Sequence, residues 1–497
     1  MKGARSFSKL WHCGAVILMF GVAANVWAQH KLGEVNITPK VFETAKGERI
    51  EAEFGQLTVP ENRTKPGSRL IQLAFVRFKS TVANPGPPIV YLAGGPGGSG
   101  IGAARGTRFP LFQAMLKVAD VIALDQRGVG LSSPNLVCTE TVDFGPDQIP
   151  DPAAILEQYR SSSRACADRF TRQGVDLSGY NTNESADDLE DLRRAIGAEK
   201  ISLWAISYGT HLALATLRRH GNRIDRVILA GIEGPSHTIK LPGSIQAHLE
   251  HIDRLVKADP GLSRVIPSFT ALVNGVLDQL ERAPVGVEVT EPKTNRKIKV
   301  TVNKFSVQLL TTFTFGSAEA SLPAIYYRMS KGDFSFAAQQ WLAFFGARQG
   351  VGSAMAYMMD CASGISPVRL RQVEKEAKTS LLGDVMNFPF MGVCPAWGAS
   401  DLGESFRAPV KTNVPALFIS GTFDVRTPPG NAEEVRRGFT NSVHLIIDGA
   451  VHSDPLFLSS PKIKDVILEF MKGQKVSTTK IALEPLKFDQ IDVKGSN

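Results

Sequence analysis

The hydrophobic pattern of this chain changes character along its length. Residues 50–59 and 70–78 alternate apolar and polar; in the second run Leu70, Gln72, Ala74, Val76 and Phe78 share one mostly apolar face. A period of two predicts strands, here an antiparallel opening hairpin. Short apolar runs then alternate with helical periodicity: strands at 89–92 and 121–124, a helix at 185–196, a strand at 201–204, a helix at 211–220 and a strand at 226–229. That alternation predicts a mostly parallel sheet flanked by helices with right-handed crossovers. Ser185 with Asp188 three residues on reads as a capping-box-like helix start, and most of the charge on that helix reads as a solvated face.

From 236 to 408 the period is helical throughout, with helices expected at 245–256, 269–282, 304–312, 322–329, 334–347 and 368–377. Strand-like runs resume at Val414, in 415–421 and 442–447. A helical insertion between two sheet strands predicts a cap over the sheet's C-terminal edge, where it would control water and substrate access. Its aromatics (Phe313, Phe315, Tyr326, Tyr327, Trp341, Phe344, Phe345, Trp397) read mostly as helix-packing residues. The resulting layout is a leader at 1–28, a sheet-and-helix core at 29–235 and 409–475, a helical cap at 236–408 and a polar tail at 476–497.

The chemistry is expected at three strand ends. Ala205-Ile206-Ser207-Tyr208-Gly209-Thr210 joins a strand to a helix with a serine at the turn, and Ala205 and Gly209 are small enough for close approach. Such a serine is a nucleophile elbow. Asp424 follows the run 415–421, and His452 follows the run 442–447, so both sit past C-terminal strand ends, where open parallel sheets bind ligands. A serine hydroxyl needs a neutral imidazole to take its proton, and the imidazole needs a carboxylate to fix its tautomer. Each residue alone reads as a packing serine, a loop cap or a surface histidine; together, in the order Ser, Asp, His, they read as a triad. The strand at 89–92 runs into Ala93-Gly94-Gly95-Pro96-Gly97-Gly98-Ser99-Gly100. Backbone N–H groups of Gly95, with Gly94 close behind, and of Tyr208 are the candidate oxyanion donors. The glycine run lacks the P-loop pattern; a dinucleotide fingerprint would require an acidic ribose ligand, and Asp125 is the residue in that place.

Lys2, Arg5 and Lys9 precede an apolar run from Gly14 to Ala24, and Val26-Trp27-Ala28 suits cleavage after Ala28. This predicts a secretory signal peptide, an exported protein (periplasmic or secreted) and no stable membrane anchor after cleavage. The basic count then falls from 56 to 53 against 48 acidic residues, so net charge falls from +8 to +5. The basic residues are scattered, which speaks against nucleic acid as a partner. Five cysteines become four, Cys138, Cys166, Cys361 and Cys394, compatible with two disulfides in an oxidising compartment. Their spacing is unlike a zinc site, so neither metal nor cofactor is expected.

LAGGPGGSG (92–100), DQRGVGLS (125–132), SADDLEDLRRAIG (185–197), ISLWAISYGT (201–210), PALFISGTFDVRTPP (415–429) and GAVHS (449–453) together resemble the prolyl and tripeptidyl aminopeptidase branch of the α/β-hydrolases. The resemblance covers most of 50–235 and 409–470. It implies the α/β-hydrolase fold, hydrolase activity, a preference for peptide N-termini, and Ser207, Asp424 and His452 as the triad. With proximity in sequence, it also favours the pairings Cys138–Cys166 and Cys361–Cys394. Three positions depart from the family's pattern: Ala93 replaces histidine, Ala205 replaces glycine, and Ala362-Ser363-Gly364 follows Cys361 where relatives carry acidic residues. The last matters for substrate, because an exopeptidase needs carboxylates to hold a free α-ammonium group. Glu233 is the candidate anchor here, with Asp360 as another; each also reads as an ordinary surface or helix-cap carboxylate. The expected function is an exported serine aminopeptidase acting on a peptide. The alternatives are a carboxylesterase or other hydrolase of a small acyl substrate, and a non-catalytic binding protein on the same fold.

Overall fold

The structure, a computed structural model, describes residues 31–291, 295–345 and 349–491. The expected signal peptide (1–28), its cleavage point after Ala28 and the end of the tail (492–497) lie outside the described residues. The dominant element is a ten-stranded sheet, whose strands we number in chain order: β1 (Val35–Glu43), β2 (Arg49–Pro60), β3 (Leu70–Phe78), β4 (Gly86–Leu92), β5 (Ala119–Leu124), β6 (Ile201–Ser207), β7 (Ile224–Ile232), β8 (Ala416–Gly421), β9 (Ser442–Asp448) and β10 (Lys480–Ala482). Their spatial order is β1-β2-β3-β5-β4-β6-β7-β8-β9-β10. The pairs from β1 to β5 through β3 are antiparallel, and those from β5 through β4 to β10 are parallel. Strands β5 and β8 are buried along their whole length, as expected for parallel strands covered on both faces.

One face packs Tyr91, Phe112, Trp204 and Phe457 with the helix Pro461–Met471. The other carries the helices Thr182–Ala195 and Tyr208–His220, and its core continues without a break into the insertion between β7 and β8. That insertion holds the expected helical segments as Pro242–Ala258, Phe269–Arg282, Lys304–Thr314, Leu322–Ser330, Ser335–Phe345 and Pro367–Ala377. It also holds the helices Ala354–Ser363 and Phe390–Trp397 and an antiparallel hairpin, Val285–Thr290 with Lys297–Val302, that the helical period did not predict. A further unpredicted helix, Pro152–Arg172, packs on Phe390–Trp397 and gives its Arg160 Nε to Gly392 O at 2.7 Å. Of the insertion's aromatics, Phe315, Tyr326, Trp341, Phe345 and Trp397 are buried, while Phe313 and Phe344 are exposed.

Two expectations are corrected, both on the helix expected at 185–196. The 185–196 helix begins at Thr182, and its cap is Asn181, whose side chain accepts from Glu184 N at 3.1 Å. Ser185 and Asp188 lie inside the helix, and its charged residues are not a solvated face. Asp188 is buried and receives both Nε and Nη2 of the fully buried Arg127 at 2.7 Å, while Arg63 spans Glu184, Asp188 and Asp191. The opening hairpin has a third partner, edge strand β1, where Pro39 and Lys40 break the alternation; edges tolerate both residues. The tail is also partly structural, since β10 extends the sheet and Ile481 and Phe488 are buried.

Candidate active site

Ser207 ends β6 with φ 55° and ψ −128°, and the helix Tyr208–His220 starts at the next residue. Positive φ at a residue with a Cβ is strained and recurs where structure aims a side chain. The turn closes only because its neighbours are glycines. A Cβ on Gly94 would lie 2.9 Å from the Ser207 Cβ, and one on Gly209 would lie 2.2 Å from Leu92 O. Ser207 therefore stands at the C-terminal edge of the sheet, level with Ile232 on β7.

The loops after β8 and β9 bring Asp424 and His452 to the same place. The Ser207 hydroxyl is 3.1 Å from His452 Nε2, and His452 Nδ1 is 2.7 Å from Asp424 Oδ2. With the proton on Nδ1, the ring donates to the carboxylate and presents Nε2 as acceptor for the serine proton. Asp424 is buried and also accepts from Arg426 N at 3.0 Å, Thr427 N at 2.8 Å and Thr427 Oγ1 at 2.6 Å. Burial pushes its pKa up, but the His452 charge and these hydrogen bonds outweigh it and hold the carboxyl below its usual range. Two supporting residues escaped the sequence reading. Thr427 Oγ1 bridges to His452 Nδ1 at 3.1 Å, and Gly231 (φ 56°) leaves room for the imidazole, since its Cβ would meet His452 Cε1 at 3.1 Å. The Asp-x-x-Thr spacing carried the first; the second leaves no sequence signal beyond a glycine late in a strand.

The glycine loop is pinned from below. Asp125 accepts from Ser99 Oγ at 2.6 Å, Ile101 N at 3.1 Å and Leu131 N at 2.8 Å, and it is fully buried. It is a loop anchor rather than a ribose ligand. Gly95 takes φ 121° and, with Gly94, Gly98, Ser207 and His452, walls a cavity of about 510 Å³ open to solvent. Tyr208 is buried with its hydroxyl 3.1 Å from Thr182 Oγ1, leaving its backbone N–H at the first turn of the helix. Helix N-termini offer free N–H groups of the kind an oxyanion requires.

Glu233 immediately follows β7, one residue beyond the partner of Ser207. It is buried, and its Oε2 accepts from Lys240 Nζ at 2.7 Å. Asp360 sits deep in the same region, partly reachable by solvent, and among the described residues its carboxylate accepts no hydrogen bond. Burial first, then the charge of Glu233, push its pKa well above the usual carboxylate range, against the pull of Lys240. Ser363, in the segment after Cys361, is 3.0 Å from His211 Nε2. Cys138 is bonded to Cys166 and Cys361 to Cys394. Among the described residues, Cys138, Glu140 and Cys166 form a group with metal-ligand spacing, but its two sulfurs are bonded to each other.

Residues 87–299 match the family described as the alpha/beta hydrolase fold, and residues 379–480 match the family described as TAP-like protein. Tripeptidyl aminopeptidase of Streptomyces lividans is 31% identical over 199 residues, covering 37% of this chain and 36% of that protein. Serine protease Hip1 of Mycobacterium bovis is 29% identical over 193 residues, covering 37% and 36%. Carboxylesterase B of Mycobacterium tuberculosis is 30% identical over 194 residues, covering 37% of each. The matched stretch thus spans little more than a third of the length of these relatives. A thermophilic esterase from Thermogutta terrifontis aligns in structure with 15% identity and a TM-score of 0.34, over 84% of this chain and 98% of that one.

Proposed function

We propose that this α/β-hydrolase, with its TAP-like C-terminal region, is an exported serine aminopeptidase that releases residues or short peptides from N-termini. The hydrolase part is carried by one observation: the line from Ser207 Oγ to His452 Nε2, and from His452 Nδ1 to Asp424 Oδ2. In this reading the Ser207 oxygen attacks the acyl carbon while its proton moves to His452 Nε2. The N–H groups of Tyr208 and Gly95 receive the developing oxyanion. His452 returns the proton to the leaving amine as the C–N bond breaks. Water then attacks the acyl-enzyme by the same route, giving the acid and free Ser207.

The aminopeptidase part is supported by two carboxylates set beside the elbow, Glu233 and Asp360, close enough that the charge of Glu233 adds to burial in raising the pKa of Asp360. Such a pair suits an α-ammonium group. The esterase reading has its own support, because the Lys240 ammonium already occupies Glu233. Two disulfides fit export, since they persist in oxidising compartments. The deciding experiment compares aminoacyl arylamides with free and acetylated N-termini, and short-chain aryl esters, together with labelling by a serine-directed phosphonate. We expect labelling of Ser207 alone and turnover only of free-N-terminus amides among the amide pair. Equal turnover of free and acetylated amides overturns the aminopeptidase reading in favour of the esterase; labelling that persists in Ser207→Ala overturns both.

A further inference from the structure

Two arginines line the cavity in front of Ser207, and their side chains are in opposite states. Arg108 is fully engaged. Its Nε donates to Asp454 Oδ1 at 2.7 Å, its Nη2 to Ser453 Oγ at 2.9 Å and its Nη1 to the Tyr91 hydroxyl. Asp454 also accepts from Thr107 Oγ1. This pair is neutral, and it braces the loop that carries His452, where Ser453 takes φ 79°.

Arg426 is not engaged. Its backbone amide serves Asp424, but among the described residues its guanidinium makes no hydrogen bond and no ion pair. The side chain is half-buried in the same wall as Ser207, His452, Gly94 and Gly95. With Asp454 neutralised by Arg108 and Asp424 buried behind His452, Arg426 is, among the described residues, the uncompensated charge facing this cavity. A guanidinium is always protonated and offers a planar fork of donors matched to a carboxylate. Neither Glu233 nor Asp360 lines the cavity. A substrate held by its ammonium group at those carboxylates therefore leaves this cavity to the far side of the scissile bond.

The geometry points to Arg426 as a specificity-determining residue that receives a carboxylate on the leaving-group side of the substrate. The substrates of choice are then short chains whose C-terminal carboxylate, or an acidic side chain next to the scissile bond, reaches the guanidinium. This inference rests on Ser207 as the nucleophile, and its placing of the carboxylate on the leaving-group side rests on the ammonium anchor of the proposed function; the esters below test the guanidinium without that anchor.

The test uses 4-nitrophenyl acetate and its 3-carboxy analogue, which need no amine anchor, each rate being divided by its uncatalysed rate. In the wild type kcat/KM favours the carboxylated ester by about tenfold, the worth of one charge-assisted hydrogen bond at a partly solvated site. The preference shrinks as salt is raised. Arg426→Gln brings the ratio to about one and Arg426→Lys keeps part of it, the salt effect following the ratio in each. Because Asp424 uses only the backbone of residue 426, both variants should retain phosphonate labelling of Ser207, which checks that the site is assembled. Peptides with free or amidated C-termini, and with Asp or Asn after the scissile bond, separate the two sources of the carboxylate. A wild-type ratio near one, or a tenfold ratio that survives Arg426→Gln, overturns the assignment while leaving the hydrolase reading intact. Turnover of neither ester overturns both.

Discussion

Asp424 and Asp360 are both sunk near the same edge of the sheet, and the fold treats them in opposite ways. Asp424 has its oxygens filled by two backbone amides, a threonine hydroxyl and an imidazole, and its pKa is held down. Asp360 has no donor among the described residues, and burial first, then the field of Glu233, hold its pKa up. A buried carboxylate is costly unless its charge is met. The first is therefore a completed ionic site, which in the proposed function orients His452. The second is an incomplete one, whose ionised form needs a cation that the resting protein supplies only in part through Lys240. In the proposed function the contrast separates the machinery of bond breaking from the machinery of choosing a substrate, and each should be open to damage without the other.

The largest effects should come from the completed site. Ser207→Ala should lower kcat on the order of 10⁶-fold, because members of a triad act as a unit. Asp424→Asn should cost about 10⁴-fold by favouring the wrong imidazole tautomer. Single-turnover and steady-state rates on both amides and esters measure this, and a loss confined to one substrate class would break the comparison. The incomplete site should show that selectivity. Asp360→Asn and Glu233→Gln should each reduce kcat/KM on free-N-terminus amides by about 10²-fold, the usual range for truncating one partner of a buried charge pair, and spare a neutral ester.

The pH dependence sharpens the same point. Because the Asp360 pKa is raised, the group stays protonated and uncharged to higher pH than an ordinary carboxyl. Turnover of free-N-terminus substrates should therefore rise with pH as Asp360 ionises, above the normal carboxylate range. A neutral ester should lack that limb, and so should Asp360→Asn with the amide. Profiles that match for amide and ester in the wild type would remove Asp360 from substrate recognition.

How much of this was legible in the sequence depends on distance along the chain. The Ser207 elbow is a local event, with strand, small residues and helix inside ten positions, and Asp424 and His452 each follow an apolar run that reads as a strand. What the sequence hides is pairing at a distance. Arg108 meets Asp454 across 346 positions, and Arg127 meets Asp188 across 61. The polar residues of the helix Thr182–Ala195 read as solvent-facing because periodicity records polarity, not partners; two arginines from other loops bury that face. The helix start was misplaced for a related reason: Asn181 and Ser185 are both competent caps, and only the chain's exit from the preceding turn decides between them. The hairpin in the insertion and the edge strand β1 leave no clear period because largely exposed strands bury too few side chains. Lys240 lies only seven positions from Glu233, yet nothing in its composition marks it as the partner rather than a surface lysine.

The smallest expected effect lies on the floor of the completed site and concerns stability rather than rate. His248, on the helix Pro242–Ala258, is buried edge-on between Phe315 and Phe423, with ring centroids 4.9 and 5.5 Å away. Among the described residues its Nε2 has no hydrogen-bond partner, and burial first, then the nearby His251 charge, lower its pKa to about 4 against the opposing pull of Asp424. The unfolded chain binds that proton near 6.5, so between about 6.5 and 4 the unfolded state holds more protons than the folded one. Stability is then fully present above about 6.5 and declines as pH falls toward 4. The loss from this one group should be about 2 kcal/mol on going from about pH 7.5 to 5. His248→Phe keeps a flat ring against its two aromatic neighbours and removes the titration. Denaturant unfolding of both proteins at the two pH values should show that the acid penalty shrinks by this amount in the variant. Since Phe423 adjoins Asp424, phosphonate labelling of Ser207 should track the loss, falling at low pH in the wild type sooner than in His248→Phe. An unchanged acid penalty in the variant would mean that the buried imidazole is not what couples this site to pH.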